Sequence, residues 1–210
     1  MPREEENMIT AKLEEALRFI SRFALLNLVW IGFTAAGLGI LGLFPATYAL
    51  FVTVQQWIRS REESPFVKPF FKVYKASFVR ANAVGWVLVL IGGLLYLNFR
   101  LIEGAAGTTP LPVVIAFLII VFIYGLVLVT IYPVWVYYQG GVRNTFINTL
   151  RFIFGRLHVA VLFGAVVWGT IYLSLSFPAF IVFFSGSVLA YILMWFFNRT
   201  IERLKMKQHA

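Results

Sequence analysis

The sequence lacks cysteine and aspartate altogether, and charged residues make up only 13% of its 210 residues. The absence of cysteine excludes disulfide bonds, thiolate metal sites and cysteine nucleophiles. Hydrophobic residues reach 60%, whereas a soluble domain is roughly half apolar and about a quarter charged. Because so few charges cannot cover a water-soluble surface, we expect lipid to cover much of this one.

The side chains that carry most catalytic chemistry are also scarce. All acidic residues are glutamates, and none falls inside a predicted membrane span. His158 and His209 offer no metal pair at helical spacing, and the sequence contains neither a phosphate-binding loop nor a Gly-x-Ser-x-Gly motif. We therefore expect no enzyme activity, no cofactor and no metal site, and a proton-coupled pump of ordinary design is disfavoured.

Long apolar segments predict membrane-spanning helices, because about 20 such residues cross the hydrocarbon core. Five segments qualify: Phe23–Phe44, Ala81–Phe99, Val113–Tyr138, His158–Leu175 and Phe177–Phe197. The first apolar run continues through Pro45–Ile58, and proline suits the first turn of a new helix. The sequence thus predicts an all-α polytopic bundle of about six spans, or five if Pro45–Ile58 is re-entrant.

The net charge of +9 indicates membrane topology and lipid attraction, not nucleic acid. Lys and Arg collect in the loops before Ala81 and after Tyr138 and around both termini, and short basic loops stay in the cytoplasm. With six spans, all of these groups lie inside and only Arg100 lies outside. We expect a multi-pass cell-membrane protein with cytoplasmic termini and no signal peptide. It forms a single membrane domain over 1–210: an amphipathic helix at 1–22, a transmembrane region at 23–198 and a basic tail at 199–210.

Three segments are predicted to form amphipathic helices at the membrane surface. One is N-terminal, with apolar residues Ile9, Leu13, Leu17, Ile20 and Ala24 at helical spacing. The second covers Pro69–Ala81, with an aromatic stripe and a stripe of Lys68, Lys72 and Lys75 that would attract anionic lipid. The third presents an apolar face made of Phe146, Leu150, Ile153 and Leu157.

A short echo links the last two of these segments. Lys75-x-x-Phe78-x-Arg80 matches Arg151-x-x-Phe154-x-Arg156, and each runs into a predicted span. The plain interpretation is that each helix entry needs a basic anchor beside an aromatic ring. The alternative is a docking surface for a cytoplasmic partner, formed by Phe71, Lys72, Lys75, Phe78, Arg80, Arg151 and Arg156.

Polar residues inside the spans have two interpretations as well. Most such residues make interhelical hydrogen bonds, and small residues allow close packing. On this interpretation a packing motif comprises Asn27, Trp30, Gly39, Gly42, Pro45, Ala46 and Thr47. The alternative is a polar cleft lined by Thr47, Gln55 and Gln56, since Thr47 and Gln55 lie eight residues apart on roughly one helix face.

One stretch is more specific than composition requires. It reads Asn27-Leu28-Val29-Trp30, then Gly37-x-Gly39-x-x-Gly42-Leu43-Phe44-Pro45-Ala46-Thr47-x-Ala49-Leu50, then Phe70-Phe71-Lys72-x-Tyr74-Lys75-x-x-Phe78-x-Arg80-Ala81-Asn82. It resembles the YesL family of bacterial membrane proteins over about the first hundred residues.

The family has no assigned reaction, and its members are frequently encoded near carbohydrate uptake systems of the ABC type. The resemblance thus implies a non-enzymatic accessory or regulatory role in carbohydrate uptake, with a sugar ABC transporter as partner. The chain lacks the Glu-Ala-Ala loop by which ABC permeases contact their ATPase, so we do not expect a permease subunit. A stand-alone carrier of a small solute or lipid is the alternative.

Overall fold

The computed structural model describes residues 2–60, 65–105, 107 and 109–208, with side chains for all of these except 2–12, 15, 16, 204, 205, 207 and 208. Within these ranges the chain forms α-helices and no strand. The helices are α1 (Pro2–Ala36), α2 (Ile40–Ser60), α3 (Val67–Gly104), α4 (Leu111–Tyr138), α5 (Val142–Gly155), α6 (Leu157–Ser176), α7 (Pro178–Phe183) and α8 (Ser185–Gln208). The predicted helical bundle is confirmed.

Four helices in the described ranges are long and apolar enough to cross a membrane: Leu17–Ala36 of α1, α3, α4 and α6. Helices α2 and α8, which hold the other two predicted spans, fall outside this group. The structure therefore has the character of a membrane bundle, whereas the count of six spans and the side on which each terminus lies stay predictions.

Helices α1 and α2 form the antiparallel hairpin that the sequence predicted, but the turn lies earlier. The turn residues Leu38 and Gly39 have φ values of 61° and 70°, a left-handed conformation that ends an α-helix. Helix α2 therefore starts at Ile40, and Pro45 lies inside it. The predicted start of a helix at Pro45 is wrong, because the glycine-rich turn closes before the proline is reached.

Two of the three predicted surface helices do not exist as separate elements. The N-terminal segment belongs to α1, and Pro69–Ala81 belongs to α3, which runs without interruption for 38 residues. Phe70, Tyr74 and Ala81 are buried within the bundle and do not lie on a lipid surface. At 1.5 Å per residue, α3 is about 57 Å long, well beyond the roughly 30 Å of a hydrocarbon core.

The third segment is a separate helix, α5, although its buried face differs from the predicted one. Its buried residues are Thr145, Thr149, Phe152 and Ile153. Leu150 and Leu157 of the predicted apolar face are exposed. The threonines can be buried because each hydroxyl donates to the carbonyl one turn back in the chain, Gly141 O and Thr145 O.

The predicted span Phe177–Phe197 is broken in the structure. Helix α7 ends at Phe183 and α8 begins at Ser185, so one apolar segment becomes two helices. Helix α8 then continues to Gln208, through residues 199–208 that were predicted as a tail.

The core surrounds α2, which contacts α1, α3, α4 and α8. One buried cluster includes Leu26, Leu50, Phe70, Phe163 and Phe197. A second lies between α3, α4, α5 and α6 and includes Val84, Ile131 and Trp135. By contrast, the far parts of α3 and α4, over 89–104 and 111–122, expose most of their large apolar side chains, which suits a surface covered by lipid.

Candidate functional site

The break between α7 and α8 is held together by one side chain of α1, that of Asn27, which is fully buried. Its Nδ2 donates to the carbonyl oxygens of Ile181 (2.9 Å) and Val182 (2.7 Å). Its Oδ1 accepts from the backbone N–H groups of Gly186 (2.9 Å) and Ser187 (3.1 Å). The amide thus satisfies backbone groups on both sides of the break, which would otherwise be costly to bury in an apolar medium.

Gly186 and Trp30 complete this junction. A Cβ atom at position 186 would lie 3.0 Å from Asn27 Oδ1 and 3.0 Å from the Trp30 ring, so glycine allows the closest approach. Trp30 Nε1 donates to Thr47 Oγ1 (3.2 Å), and the Thr47 hydroxyl donates in turn to Leu43 O (2.8 Å). Thr47 therefore fixes the indole that packs against the break.

A cavity of about 340 Å³, here called the break cavity, opens beside this junction. Its walls come from α1, α2, α6, α7 and α8 and include Trp30, Phe51 and Leu189. Four hydroxyls also line it, those of Thr47, Thr170, Ser174 and Ser185. Thr47 and Thr170 donate to carbonyls of their own helices, and Ser185 donates across the break to Ile181 O of α7. Because three of the four hydroxyls donate within the protein and the other lining residues are mostly apolar, the walls suit an apolar ligand group more than a polar one.

Three of the remaining residues of the predicted packing motif, Gly42, Pro45 and Ala46, are buried in the bundle, and Gly39 is not. Ala46 is fully buried, and Gly42 lies so close to the end of α1 that a Cβ atom would overlap the Thr34 carbonyl. Pro45 has no N–H for the Leu41 carbonyl, its partner one turn earlier. Asn82 of α3 takes that place, with its Nδ2 3.0 Å from Leu41 O. Gly39 lies at the exposed turn.

The structure does not bring the predicted polar cleft together. Thr47 lies in the break cavity, whereas Gln55 is buried against α8 and Gln56 is exposed. The Gln55 amide contacts the Asn198 amide at 2.7 Å and the Arg59 guanidinium at 2.9 Å. All three groups find partners when the Gln55 oxygen faces Arg59 and accepts from it.

The predicted docking residues are mostly exposed but lie in three places. Phe71, Lys72 and Lys75 lie on the outer face of α3, and Phe78 is half-buried. Arg80 lines a cavity with Tyr48, Trp135 and Gln139. Arg151 and Arg156 line another with Tyr138 and Asn148. None of these five basic residues has a carboxylate partner within the part of the chain that the structure describes.

The sequence analysis named Asn27 but did not predict its role at the break. It named Asn82 only within the family-like stretch, and it gave no role at a site to Gly186 or Asn198. The available signals were Ser185-Gly186-Ser187 inside an apolar run, since Gly/Ser pairs mark helix kinks, and the proline at position 45, which requires a substitute donor. No group of three or more His, Cys, Asp or Glu residues in the described ranges could hold a metal ion.

Over the described residues, an all-helical bundle with four helices of membrane-spanning length and a discontinuous helix joined by a buried amide has the character of a polytopic helical membrane protein. Residues 23–99 match the family described as "Protein of unknown function, DUF624".

Three relatives from Bacillus subtilis (strain 168) are similar over most of their length. The chain is 32% identical to "Uncharacterized protein YteU" over 201 residues, covering 94% of this chain and 89% of that protein. It is 30% identical to "Uncharacterized protein YesL" over 83% of this chain and 82% of that one. It is 24% identical to "Uncharacterized protein YesV" over 96% and 97% of the two chains. The chain therefore belongs to this DUF624, or YesL-like, family. No solved structure matches it.

Proposed function

We propose that this protein is a non-enzymatic, multi-pass component of the cell membrane that assists or regulates carbohydrate uptake by binding a transport complex. The observation that carries the binding part is the outer face of α3, here called the basic face, made of Lys68, Phe71, Lys72, Lys75 and Val79. All five side chains are exposed, and the lysines have no carboxylate partner among the described residues. The carbohydrate part rests on the family resemblance.

The opposite face of α3 packs against the bundle, and this packing leaves the basic face exposed. Phe70, Tyr74 and Ser77 are buried against the bundle, and the Phe33 ring lies 5.3 Å from that of Phe70 and 5.2 Å from that of Tyr74. Because this segment continues directly into a candidate span, its orientation is set by helix packing. An acidic surface on a neighbouring membrane or cytoplasmic protein would complement it.

The test is purification of the full chain in mild detergent from its native host, followed by identification of the proteins that co-purify. We expect an integral sugar permease or its ATPase at about equal stoichiometry. Lys72→Glu with Lys75→Glu should abolish its recovery, whereas Arg100→Glu with Arg143→Glu, the same change of charge at exposed positions outside the basic face, should not. Unchanged recovery from the double variant would remove the basic face as the binding surface.

The break cavity favours a second function, a stand-alone carrier of a lipid or small solute. Transporters commonly place substrate at discontinuous membrane helices, and this cavity adjoins such a break. Thr170→Leu should fill it, whereas Gly169→Leu adds a side chain on the same helix where no atom lies within 4 Å of the new Cβ. Loss of a co-purified lipid or solute in the first variant alone would favour the carrier, and purification without any bound molecule would count against it.

A further inference from the structure

Arg151 and Arg156, the first and last residues of the second copy of the echo motif, share one cavity. Arg151 of α5 and Arg156, which joins α5 to α6, line a space of about 450 Å³ together with Asn148, Tyr138 and Ile201. This volume lies within the ordinary range of ligand sites. The cavity is separate from the break cavity and from the basic face of α3, and neither proposed function uses it.

The charge of this cavity is unbalanced. Arg151 is exposed and Arg156 is half-buried, and neither has a carboxylate partner in the described part of the chain. A guanidinium presents its N–H donors as a planar fork that matches the oxygens of a phosphate, and such pairs are stronger than neutral hydrogen bonds. Two forks and the Asn148 amide around one space therefore favour a phosphate group.

The position of the cavity identifies the source of that phosphate. Tyr138 is the last residue of one candidate span, and Leu157, which follows Arg156, is the first residue of another. The cavity thus lies where two spans end, at the expected depth of lipid headgroups. The apolar side chains next to it in the chain, Phe154 and Leu157, are 69% and 49% exposed, so they offer a surface for acyl chains.

Two further arginines, Arg59 and Arg80, lie near the C-terminal end of α4. The Arg59 guanidinium lies over the Tyr137 ring, 5.8 Å from its centroid. Arg80, which ends the other copy of the echo motif, lines a cavity with Gln139 and Gly140. Basic residues from α2, α3 and α5 therefore gather around the C-terminal end of α4, where a positive surface would draw anionic lipid.

We propose that the cavity of Arg151 and Arg156 binds the phosphate headgroup of one anionic phospholipid. Both guanidiniums donate to the phosphate oxygens, and the acyl chains lie along Phe154 and Leu157. The free-phosphate alternative and a purely structural role, in which the arginines only offset the helix dipole at the end of α4, are separated by the test.

The test uses the full-length protein in mild detergent and counts bound lipid by native mass spectrometry during titration with phosphatidylglycerol or phosphatidylcholine. We expect one phosphatidylglycerol to bind about tenfold or more tightly than phosphatidylcholine. Arg151→Gln and Arg156→Gln should each weaken that binding about tenfold, the scale of one charged hydrogen bond. Arg143→Gln is the matched control, because Arg143 is exposed on the same helix and does not line the cavity.

Three results would overturn the proposal. The first is unchanged phosphatidylglycerol binding in both cavity variants, and the second is an equal loss in Arg143→Gln. The third is displacement of the lipid by inorganic phosphate at equal concentration, which would assign the cavity to a soluble anion. Size-exclusion profiles show whether each variant is folded. Because Arg151 is exposed, Arg151→Gln remains informative if Arg156→Gln does not fold. If both cavity variants lose stability and keep their lipid binding, which is a case of the first result, the arginines have the structural role.

Discussion

Asn27 uses all of its hydrogen-bonding capacity on one helix break. Its amide has two donors and two acceptor sites, and each has a backbone partner within 3.1 Å. Asn27→Leu should leave the Val182 carbonyl and the N–H groups of Gly186 and Ser187 without their partner, at a cost of about 1–3 kcal/mol for each group. The Ile181 carbonyl would keep the hydroxyl of Ser185. We expect little folded protein from this variant, measured by expression yield and thermal unfolding in detergent.

The control for this prediction is Asn98→Leu, because Asn98 is exposed on α3 and donates only to Leu94 O on the same helix. That substitution should change the melting temperature little. Equal stability of Asn27→Leu and Asn98→Leu would show that the break does not depend on the buried amide.

Pro45 and Asn82 should behave as a coupled pair. Asn82→Ala removes the donor that bonds Leu41 O and should cost about 1–3 kcal/mol of unfolding free energy. Pro45→Ala returns an N–H to that carbonyl from within α2. The cost of Asn82→Ala should therefore be smaller in a Pro45→Ala background, measured as a double-mutant cycle. Strict additivity would contradict the proposed exchange of donors.

Ala46 tests the tightness of packing around α2. The residue is completely buried, so Ala46→Leu should overpack the core and destabilise it by about 1–3 kcal/mol. Thr47→Val should be milder, because it removes one hydrogen bond, the one accepted from Trp30 Nε1, and adds no volume to the core. Ala36→Leu, at an exposed position at the end of α1, is the size-matched control. If Ala46→Leu folds as well as Ala36→Leu, close packing is not the reason for a small residue there.

At the scale of elements, helical composition was predictable and helix boundaries were less so. The long apolar segments predicted helices, because backbone N–H and C=O groups in lipid must form hydrogen bonds within their own segment. The Ser185-Gly186-Ser187 run is a local signal for a kink, but it does not identify Asn27, the partner that stabilises the break, which lies 154 to 160 residues away in α1. The aromatic stripe of Pro69–Ala81 could not be assigned from sequence to a lipid-facing or a protein-facing surface, because aromatic rings are buried in both environments.

The orientation of α3 can be measured by cysteine reactivity, since the sequence has no native cysteine. Lys72→Cys should react readily with a water-soluble maleimide, because Lys72 lies on the exposed basic face. Ser77→Cys should not react, because Ser77 is buried, with its hydroxyl bonded to Val73 O. Similar rates at both positions would mean that the first half of α3 does not pack against the bundle.

For the whole molecule, the arrangement of basic residues gives a test of sidedness. Under the six-span prediction, Ser60 lies in the cytoplasm, whereas Leu38 and Glu103 lie outside. Single cysteines at these positions should label from opposite sides of intact cells and inverted vesicles. Leu38 is 84% exposed in the turn between α1 and α2, so access should not limit its reaction. Labelling of positions 38 and 60 from one side would show a re-entrant hairpin and five spans.

The dependence of α8 on Asn27 also sets an order for biosynthesis. During translation, α1 is made about 150 residues before Gly186 and Ser187, the N–H donors that its Asn27 Oδ1 requires. Until α8 has been synthesised, the Asn27 amide lies in the bilayer without these partners. It must then form hydrogen bonds with water, with the translocation machinery or with another backbone group. The hydrogen bonds that join the first helix to the last can therefore form only at the end of synthesis. A nascent chain stalled before residue 181 would still carry an unsatisfied Asn27, which is the kind of intramembrane polar group that quality-control proteases could recognise.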